Sequence, residues 1–374
     1  MKIQFLLFSL LFTVLSSAQI VNIPDAKFKA KLLEASVKNR IASIQIPTYD
    51  EDGYRTTTLN YQPIDTNGDG EIQISEAQAI QYLEVNDTDI KDLTGIEAFS
   101  NLEYLNCSRN QLTTLDVSHN PKLEKLYCSK NQLTTLDVSH NTSLILLSCF
   151  DNQLADLDVN HNISLSHLGC SKNQLTALDI SYNPELNQVD CYDNQLTTLD
   201  VSHNPKLKKL SCSNNQLTAL DISHNSELEY LHCSNNPLIA LDVCHNTKLE
   251  YLYCYHNQLT TLDVSDNTNL DTLDCGFNQL ASLDISHNTK LEHLDCSHNQ
   301  LTTLDVNHNV ILIYLNCYRN QLSTLNVSLN TKLWYLTCSY NKLNAIDVSH
   351  NPLLNQDNYK EGVLRNIDQP NLPN

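Results

Sequence analysis

The side chains with the clearest chemical purpose lie in one short acidic segment near the N-terminus. Over residues 65–76, side-chain oxygens stand at the first, third, fifth and twelfth places of a twelve-residue stretch, on Asp65, Asn67, Asp69 and Glu76. The carbonyl of Glu71 takes the seventh place, and a glycine takes the sixth, where such a loop turns sharply. Because calcium prefers six to eight oxygen ligands, the spacing predicts one Ca²⁺ site held by these five residues.

The segment has the pattern of an EF-hand loop, with Ile72 at the eighth place and a helix start at Ser75. The preceding residues, 59–63, form a poor incoming helix, and the sequence has no second loop of this kind. We therefore expect a dockerin-like half-site of modest affinity, which stabilises the N-terminal part of the chain when Ca²⁺ binds. The alternative is an acidic turn that holds no metal.

Aspartate and histidine also recur at fixed intervals, and with cysteine they suggest triads or metal centres. Asp stands in one column with a period of 21 residues, from Asp116 to Asp347 with Asn326 as the exception, and a His column follows three residues later. A catalytic site needs a single group of different residues in one pocket, whereas these columns repeat the same residue and the same surroundings in every unit. We therefore predict no enzyme activity. The Asp column should accept backbone N–H bonds at turns, and the His column should be solvated, with transition-metal binding along it as the weaker alternative.

Twelve of the 13 cysteines form a third column with the same period, from Cys107 to Cys338. Stacked coils lie roughly 4.8 Å apart with parallel side chains, so neighbouring Cβ atoms exceed the ~3.8 Å separation of a disulfide. A buried thiol is a small apolar group, so we expect a free, buried column. Only Cys244 lies outside it, in place of a serine. The chain is expected to be a monomer, with a dimer linked through Cys244 as the alternative.

These columns require a backbone that places equivalent residues above one another. Twelve units of 21 residues run over 102–353, each with apolar residues at positions 1, 4, 6, 11, 14 and 16. Two alternating segments per unit, Leu-x-Cys and Leu-Asp-Val, predict one strand on each of two faces, the second shorter or irregular. Asn110 and Asn120 follow these segments and predict ladders of buried amides. The expected fold is a right-handed, β-rich solenoid.

The remaining segments lie on either side of the repeats. Residues 1–18 have a basic start, an apolar run and small residues before Gln19, which predicts a signal peptide and secretion, with the bacterial cell surface or periplasm as alternatives. Residues 19–79 lack the repeat and are expected to cap the solenoid, with an amphipathic helix over 24–33 that buries Phe28, Leu32 and Leu33. Residues 354–374 are expected to form a C-terminal cap or tail.

The repeat LxxLxCxxNxLxxLDVSxNxx resembles the leucine-rich repeat. It is similar to the 21-residue form found in internalin-J-like bacterial surface proteins, in which Cys replaces Leu at the third inward position. Residues 80–101 resemble an initial repeat of 22 residues, so the resemblance covers 80–353. It implies an extracellular protein-binding or adhesive role. The chain shows no cell-wall sorting sequence, so we expect no covalent attachment to a surface.

Composition restricts the partners. The chain has 43 acidic and 23 basic residues and a net charge of −20, which disfavours nucleic acids and acidic lipids. Beyond the first residues, no apolar run approaches the roughly 20 residues of a membrane-spanning helix, so we expect no membrane insertion. An extracellular protein or a glycan remains as the expected partner.

Outward positions 3, 5, 7 and 8 of the first strand vary along the chain, and aromatic residues collect in the later units. Tyr and Trp are enriched at binding surfaces, so these positions predict a ligand-binding face. Its expected members are Tyr230, His232, Tyr251, Tyr253, Tyr255, Asp274, Asp295, Tyr314, Trp334 and Tyr335. The alternatives are aromatics that only stabilise the sheet, a glycan-binding module, and a purely structural or ice-binding rod.

Overall fold

The computed structural model describes residues 19–49 and 55–354. The predicted signal peptide and nearly all of the predicted C-terminal tail lie outside these residues. The N-terminal segment contains helix α1 (Ala26–Leu33), an antiparallel hairpin of β1 (Ala42–Tyr49) and β2 (Arg55–Tyr61), and helix α2 (Ile74–Ala77). A 3-10 helix over Ile96–Ala98 precedes the regular coils.

Each coil then contributes one strand of three residues to a single parallel sheet. The strands follow the chain in order, β3 to β15, and the N-terminal hairpin joins the first of them through an antiparallel pair of β1 with β3. They are β3 (Tyr82–Glu84), β4 (Tyr104–Asn106), β5 (Lys125–Tyr127), β6 (Leu146–Ser148), β7 (His167–Gly169), β8 (Gln188–Asp190), β9 (Lys209–Ser211), β10 (Tyr230–His232), β11 (Tyr251–Tyr253), β12 (Thr272–Asp274), β13 (His293–Asp295), β14 (Tyr314–Asn316) and β15 (Tyr335–Thr337).

The strand register places equivalent residues of successive coils side by side. In the pair of β10 and β11, Tyr230 lies opposite Tyr251 and Leu231 opposite Leu252. The central residue of each strand is buried, while its two neighbours face outward. This alternation is the two-residue period of a strand, and it confirms the predicted inward position 4 and outward positions 3 and 5. Position 7, also predicted to be exposed, is buried where it is a small serine, as at Ser129 and Ser234.

A continuous core runs through the coils. Equivalent inward positions are filled by the same residue types, and in the first unit Leu102, Leu105, Cys107, Leu112 and Val117 are fully buried. The buried residues of all coils and of the N-terminal segment form one cluster. The predicted solenoid is confirmed.

The second face of the coil is irregular. Among the described residues, its only bridge outside the named strands of the repeats joins Asp116 to Asp137. The side chain of Asp116 accepts the backbone N–H of Ser118 at 2.9 Å, which turns the chain away from an extended conformation. The second strand therefore takes the irregular form that the sequence allowed.

Two ladders of asparagine satisfy the backbone groups inside the turns, as predicted. In the first, Asn131 donates to the carbonyls of Cys107 (3.1 Å) and Cys128 (2.9 Å) and accepts from the N–H of Leu112 (3.0 Å). In the second, Asn141 donates to the carbonyl of Val117 in the preceding coil at 2.9 Å. Each amide joins consecutive coils, because its partners belong to both.

Asp25 caps the N-terminus of helix α1, and its side chain accepts the N–H groups of Lys27 (2.8 Å) and Phe28 (3.0 Å). Phe28 and Leu32 are fully buried, but Leu33 is 37% exposed, so its predicted inward position is wrong. Residues 28 and 32 are one helical turn apart, and the next residue rotates by about 100° away from that face. Within the described residues, no helix has the length and hydropathy needed to cross a membrane.

Candidate binding face and N-terminal loop

The middle coils carry a compact group of rings on the outward side of the sheet, here called the central aromatic cluster: Tyr230, His232, Tyr251, Tyr253 and Tyr255. Tyr253 lies 5.7 Å from Tyr230 and 5.4 Å from His232, measured between ring centroids. His232 also lies 5.8 Å from Tyr255, and Tyr251 lies 6.2 Å from Tyr230. Burial lowers the pKa of His232, so its ring is neutral at physiological pH. The structure thus brings five of the predicted residues into contact.

The last coils carry a second group. Tyr314 and Tyr335 stack with centroids 4.4 Å apart and planes at 3°, and His293 lies 5.9 Å from Tyr314. Trp334 precedes β15 and is 50% exposed, so it lies at the border of the sheet. The predicted face is therefore divided into two aromatic groups.

Between the two groups the sheet has an acidic depression, here called the acidic notch. It is a cavity of about 380 Å³ lined by Tyr253, Thr272, Leu273, Asp274, His293, Asp295 and Tyr314. Asp274 and Asp295 lie opposite each other in the register of β12 and β13. Burial, and secondly the charge of Asp295, raise the pKa of Asp274 to about 7.

A further aromatic group at the N-terminal end of the sheet was not predicted. Tyr82 and Tyr104 stack with centroids 4.1 Å apart, and Tyr127 lies 5.4 Å from Tyr104. Both Tyr82 and Tyr104 donate their hydroxyls to Glu84, and burial raises the pKa of each phenol. Tyr104 and Tyr127 occupy the same variable columns as the later tyrosines, so the sequence held the signal for this group.

The residue at position 8 of every coil adopts the left-handed conformation. In the later coils, His256, Phe277 and His298 share φ of 52° and stack in series at 4.0 and 3.8 Å. None of the twelve residues in this column is glycine, and the conformation was not predicted from the sequence. It turns the chain sharply after the strand and aligns side chains along one edge of the sheet.

The cysteines of the column are free and buried, as predicted. Burial raises the pKa of Cys107 to about 12, which keeps its thiol protonated and unreactive. Cys244 is partly exposed, and a hydrogen bond to Asp242 raises its pKa. The column therefore contributes packing, and Cys244 alone is accessible to reagents.

The Asp column accepts backbone N–H groups, as predicted. Asp200, for example, accepts the N–H of Ser202 at 2.9 Å, and the hydrogen bonds from the Ser202 hydroxyl and N–H lower the pKa of Asp200. His203, like its equivalents, is exposed, and its Nδ1 lies 3.0 Å from the Ser202 hydroxyl. These residues have the structural role expected of them.

The acidic N-terminal loop is closed by Glu76. Its Oε1 atom accepts the N–H and the hydroxyl of Thr66 at 2.8 and 2.7 Å, and its Oε2 atom accepts the N–H of Gln73 at 3.0 Å. Glu76, at the twelfth place of the loop, is thereby bonded to Thr66, at the second place. Lys29 pairs with the Glu71 carboxylate at 2.6 Å, which ties the loop to helix α1 and leaves the Glu71 carbonyl as the expected ligand atom.

The other ligand residues accept N–H bonds from within the loop. Asp65 accepts from Gly68 (2.7 Å) and Gly70 (3.0 Å), and Asn67 accepts from Asp69 (2.8 Å). Gly68 and Gly70 have φ of 74° and 78°, the left-handed region that favours glycine. The donor set consists of oxygens, which suits Ca²⁺. In this conformation, no three His, Cys, Asp or Glu side chains of residues 19–49 and 55–354 are arranged to hold a metal ion.

Comparison with known proteins agrees with this geometry. A family model described as Leucine Rich repeats (2 copies) matches residues 205–243, 226–267, 247–288 and 268–309. The search of curated proteins found no match.

Solved structures show the same solenoid. The functional domain of InlJ from Listeria monocytogenes, which includes a cysteine ladder, is 39% identical, with a TM-score of 0.75; the match covers 76% of this chain and 64% of that one. This chain thus spans less than two thirds of that domain. The internalin InlF from Listeria monocytogenes is 23% identical (TM-score 0.74, 91% and 96% covered) and shares the fold. The Leptospira interrogans leucine-rich-repeat protein LIC12759 is 25% identical (TM-score 0.62, 72% and 80% covered). With its column of buried cysteines, the chain is a leucine-rich-repeat protein of the internalin-J-like type.

Proposed function

We propose that this chain is a secreted, non-enzymatic protein that binds an extracellular protein through the outward face of its parallel sheet. The observation that carries the proposal is the contrast between columns. Inward columns keep small or aliphatic residues along the solenoid, whereas the outward columns change between residue classes and gather rings at the central aromatic cluster and around Tyr314 and Tyr335. Positions without a packing role are free to specify a ligand.

The aromatic groups have properties of a prepared binding surface. Their rings are held by neighbours in adjacent coils, so they lose little side-chain entropy when a partner binds. Tyr251 is 37% exposed and Trp334 is 50% exposed, which leaves apolar area for a partner to cover. Tyrosine and tryptophan supply large contact area at low entropy cost. These properties favour a protein partner over a purely structural role for the rings.

The experiment is a screen of purified residues 19–374 against extracellular protein and glycan arrays. A variant carrying Tyr251→Ala and Tyr253→Ala is expected to lose binding, because both rings belong to the central aromatic cluster. Tyr182→Ala is the matched control, since Tyr182 is 59% exposed and lies in the His column on a turn away from the sheet. Unchanged binding of the double variant to every partner would refute the proposal, and binding confined to glycans would replace the protein partner.

The N-terminal loop is proposed to bind one Ca²⁺ ion. Asp65, Asn67, Asp69, the carbonyl of Glu71, and Glu76 would hold it. The ion would supply positive charge among side chains that otherwise rely on loop N–H groups. Because Lys29 joins the loop to helix α1, order in the loop would stabilise the N-terminal segment.

Calorimetry with and without Ca²⁺ tests this second proposal. Added Ca²⁺ is expected to raise the melting temperature of the N-terminal segment, and EDTA to lower it. Asp65→Asn is expected to remove the response. Asp92→Asn is a control outside the loop and should keep it. An identical melting curve in Ca²⁺ and in EDTA would contradict a calcium site.

A further inference from the structure

The acidic notch contains two carboxylates that no Lys or Arg of residues 19–49 and 55–354 pairs with. Within the described residues, neither Asp274 nor Asp295 takes part in any ion pair. Asp274 Oδ1 accepts the N–H of Gly276 at 3.1 Å, and Asp295 accepts from Ser297 (2.9 Å) and from the Asn316 amide (2.7 Å). Oδ2 of Asp274 has no hydrogen bond to the described part of the chain. Partly buried carboxylates are normally paired with a positive charge, and the notch lacks such a charge.

Gly276 keeps both carboxylates accessible. A Cβ atom at this position would lie 3.1 Å from Asp295 Oδ1 and 3.4 Å from Asp274 Oδ1. The other eleven coils have Ser, Phe or Tyr in this column, so the backbone there does not itself require glycine. The absence of a side chain therefore opens space directly over the acidic pair.

Rings stand on both sides of this space along the solenoid. Tyr253 belongs to the preceding strand, β11, and Tyr314 to β14, and both line the cavity. The face of an aromatic ring attracts a cation, and a planar guanidinium can stack on a ring while it donates to carboxylates. Two acids between two tyrosines thus form a site suited to a positively charged side chain.

We propose that the acidic notch receives an arginine or lysine side chain of the protein that binds the sheet face. The inference rests on the proposed function, and it names the chemistry of one contact. Charge complementarity supports this occupant, because the chain carries a net charge of −20 and attracts basic partners. In the three-residue strands β3–β15, Lys occurs only at Lys125 and Lys209, both in earlier coils, so no strand near the notch presents a Lys or Arg that would repel this side chain.

Binding of a cation should weaken as the pH falls. Carboxylates must be ionised to pair with it, and the raised pKa of Asp274 places its titration near neutral pH. The titratable groups that line the notch with this carboxylate are Tyr253, His293, Asp295 and Tyr314. The buried thiols of Cys254 and Cys275 also experience the charge of Asp274. Burial, and secondly the charge of Arg319, lower the pKa of His298, so its ring is neutral at pH 8.

The test uses a fluorescein-labelled Gly/Ser peptide with one central arginine, and the same peptide with glutamine, titrated against residues 19–374 by fluorescence anisotropy. At pH 8 we expect the arginine peptide to bind at least ~10-fold more tightly, and this preference to shrink at pH 6. The variant with Asp274→Asn and Asp295→Asn should lose it. Gly276→Ser, which introduces the commonest residue of the column, should reduce it.

A second double variant separates the notch from the general acidity of the chain. Asp263→Asn with Asp284→Asn removes the same two charges from the Asp column, where Asn326 shows that asparagine accepts the same N–H bond. It should keep the arginine preference. Equal loss in both double variants, or retention in the notch variant, would overturn the inference. If array partners are lost with Tyr251→Ala and Tyr253→Ala but kept by the notch variant, the proposed function stands and the inference fails.

Discussion

Replacement of Asp274 by asparagine is expected to stabilise the folded chain, and to do so most strongly at alkaline pH. Burial raises the pKa of Asp274 from 3.8 to about 7 in the folded state. Between these two values the unfolded chain has lost the proton and the folded chain holds it, so the free energy of unfolding decreases as the pH rises. Above pH 7 both states are ionised and the cost of the carboxylate is constant.

The magnitude follows from the shift. One pKa unit corresponds to ~1.4 kcal/mol, so the Asp274 carboxyl group costs the fold about 4 kcal/mol at pH 8 and about 2 kcal/mol at pH 5. Asparagine has nearly the same shape, can still accept the N–H of Gly276, and carries no charge. Asp274→Asn should therefore raise the free energy of unfolding by these amounts.

Urea denaturation of residues 19–374 at pH 5 and pH 8, followed by far-ultraviolet circular dichroism, measures the difference. The pH responses of other groups, such as His232 with its lowered pKa, are shared by both proteins and cancel in the comparison. Asp263→Asn is the control. Hydrogen bonds from Ser265 lower the pKa of Asp263, so this change should not stabilise at either pH. An equal effect of Asp274→Asn at both pH values, or a loss of stability at pH 8, would refute the reasoning.

Three further predictions follow from the core, the ladders and the N-terminal segment. In a thiol titration of the native chain with DTNB, Cys244 alone should react, whereas all 13 thiols should react in denaturant; a lower count in denaturant would reveal disulfides. Asn236→Ala should cost about 1–3 kcal/mol in urea denaturation, because it leaves the N–H of Leu217 unpaired and removes one of the two amide donors to the carbonyls of Cys212 and Cys233, which keep Asn215 and Asn257 respectively. Thr218→Ala on the exposed surface should cost little. Gly95→Ala should destabilise the N-terminal segment by more than ~2 kcal/mol, because φ is 108° and a Cβ would lie 2.8 Å from Ile23 Cγ1. Gly68→Ala, which has open space around its Cβ position, should cost only ~1 kcal/mol. Equal costs of the two changes in calorimetry would contradict the steric argument.

The helix of the N-terminal segment was predictable because its signal is local. Asp25 precedes an amphipathic run, and Phe28 and Leu32 are one turn apart, so capping and periodicity agree. The hairpin of β1 and β2 was not predicted. Its strands pair from Ser43 with Tyr61 to Tyr49 with Arg55, and β1 gains a more distant partner in β3. Strand pairs of this kind depend on tertiary contacts more than on local sequence.

The sequence by itself determined the repeating core. A period of 21 residues with invariant apolar columns can bury its core only by stacking coil on coil, so the solenoid, the buried Cys107 column and the asparagine ladders follow from the pattern. The tertiary structure alone decided which outward residues meet. Asp274 and Asp295 are 21 positions apart, yet they share one desolvated notch, and Phe277 stacks between His256 and His298 because position 8 is left-handed. Burial, charge coupling and ring contact depend on distances across coils, and these exist only once the coils have stacked.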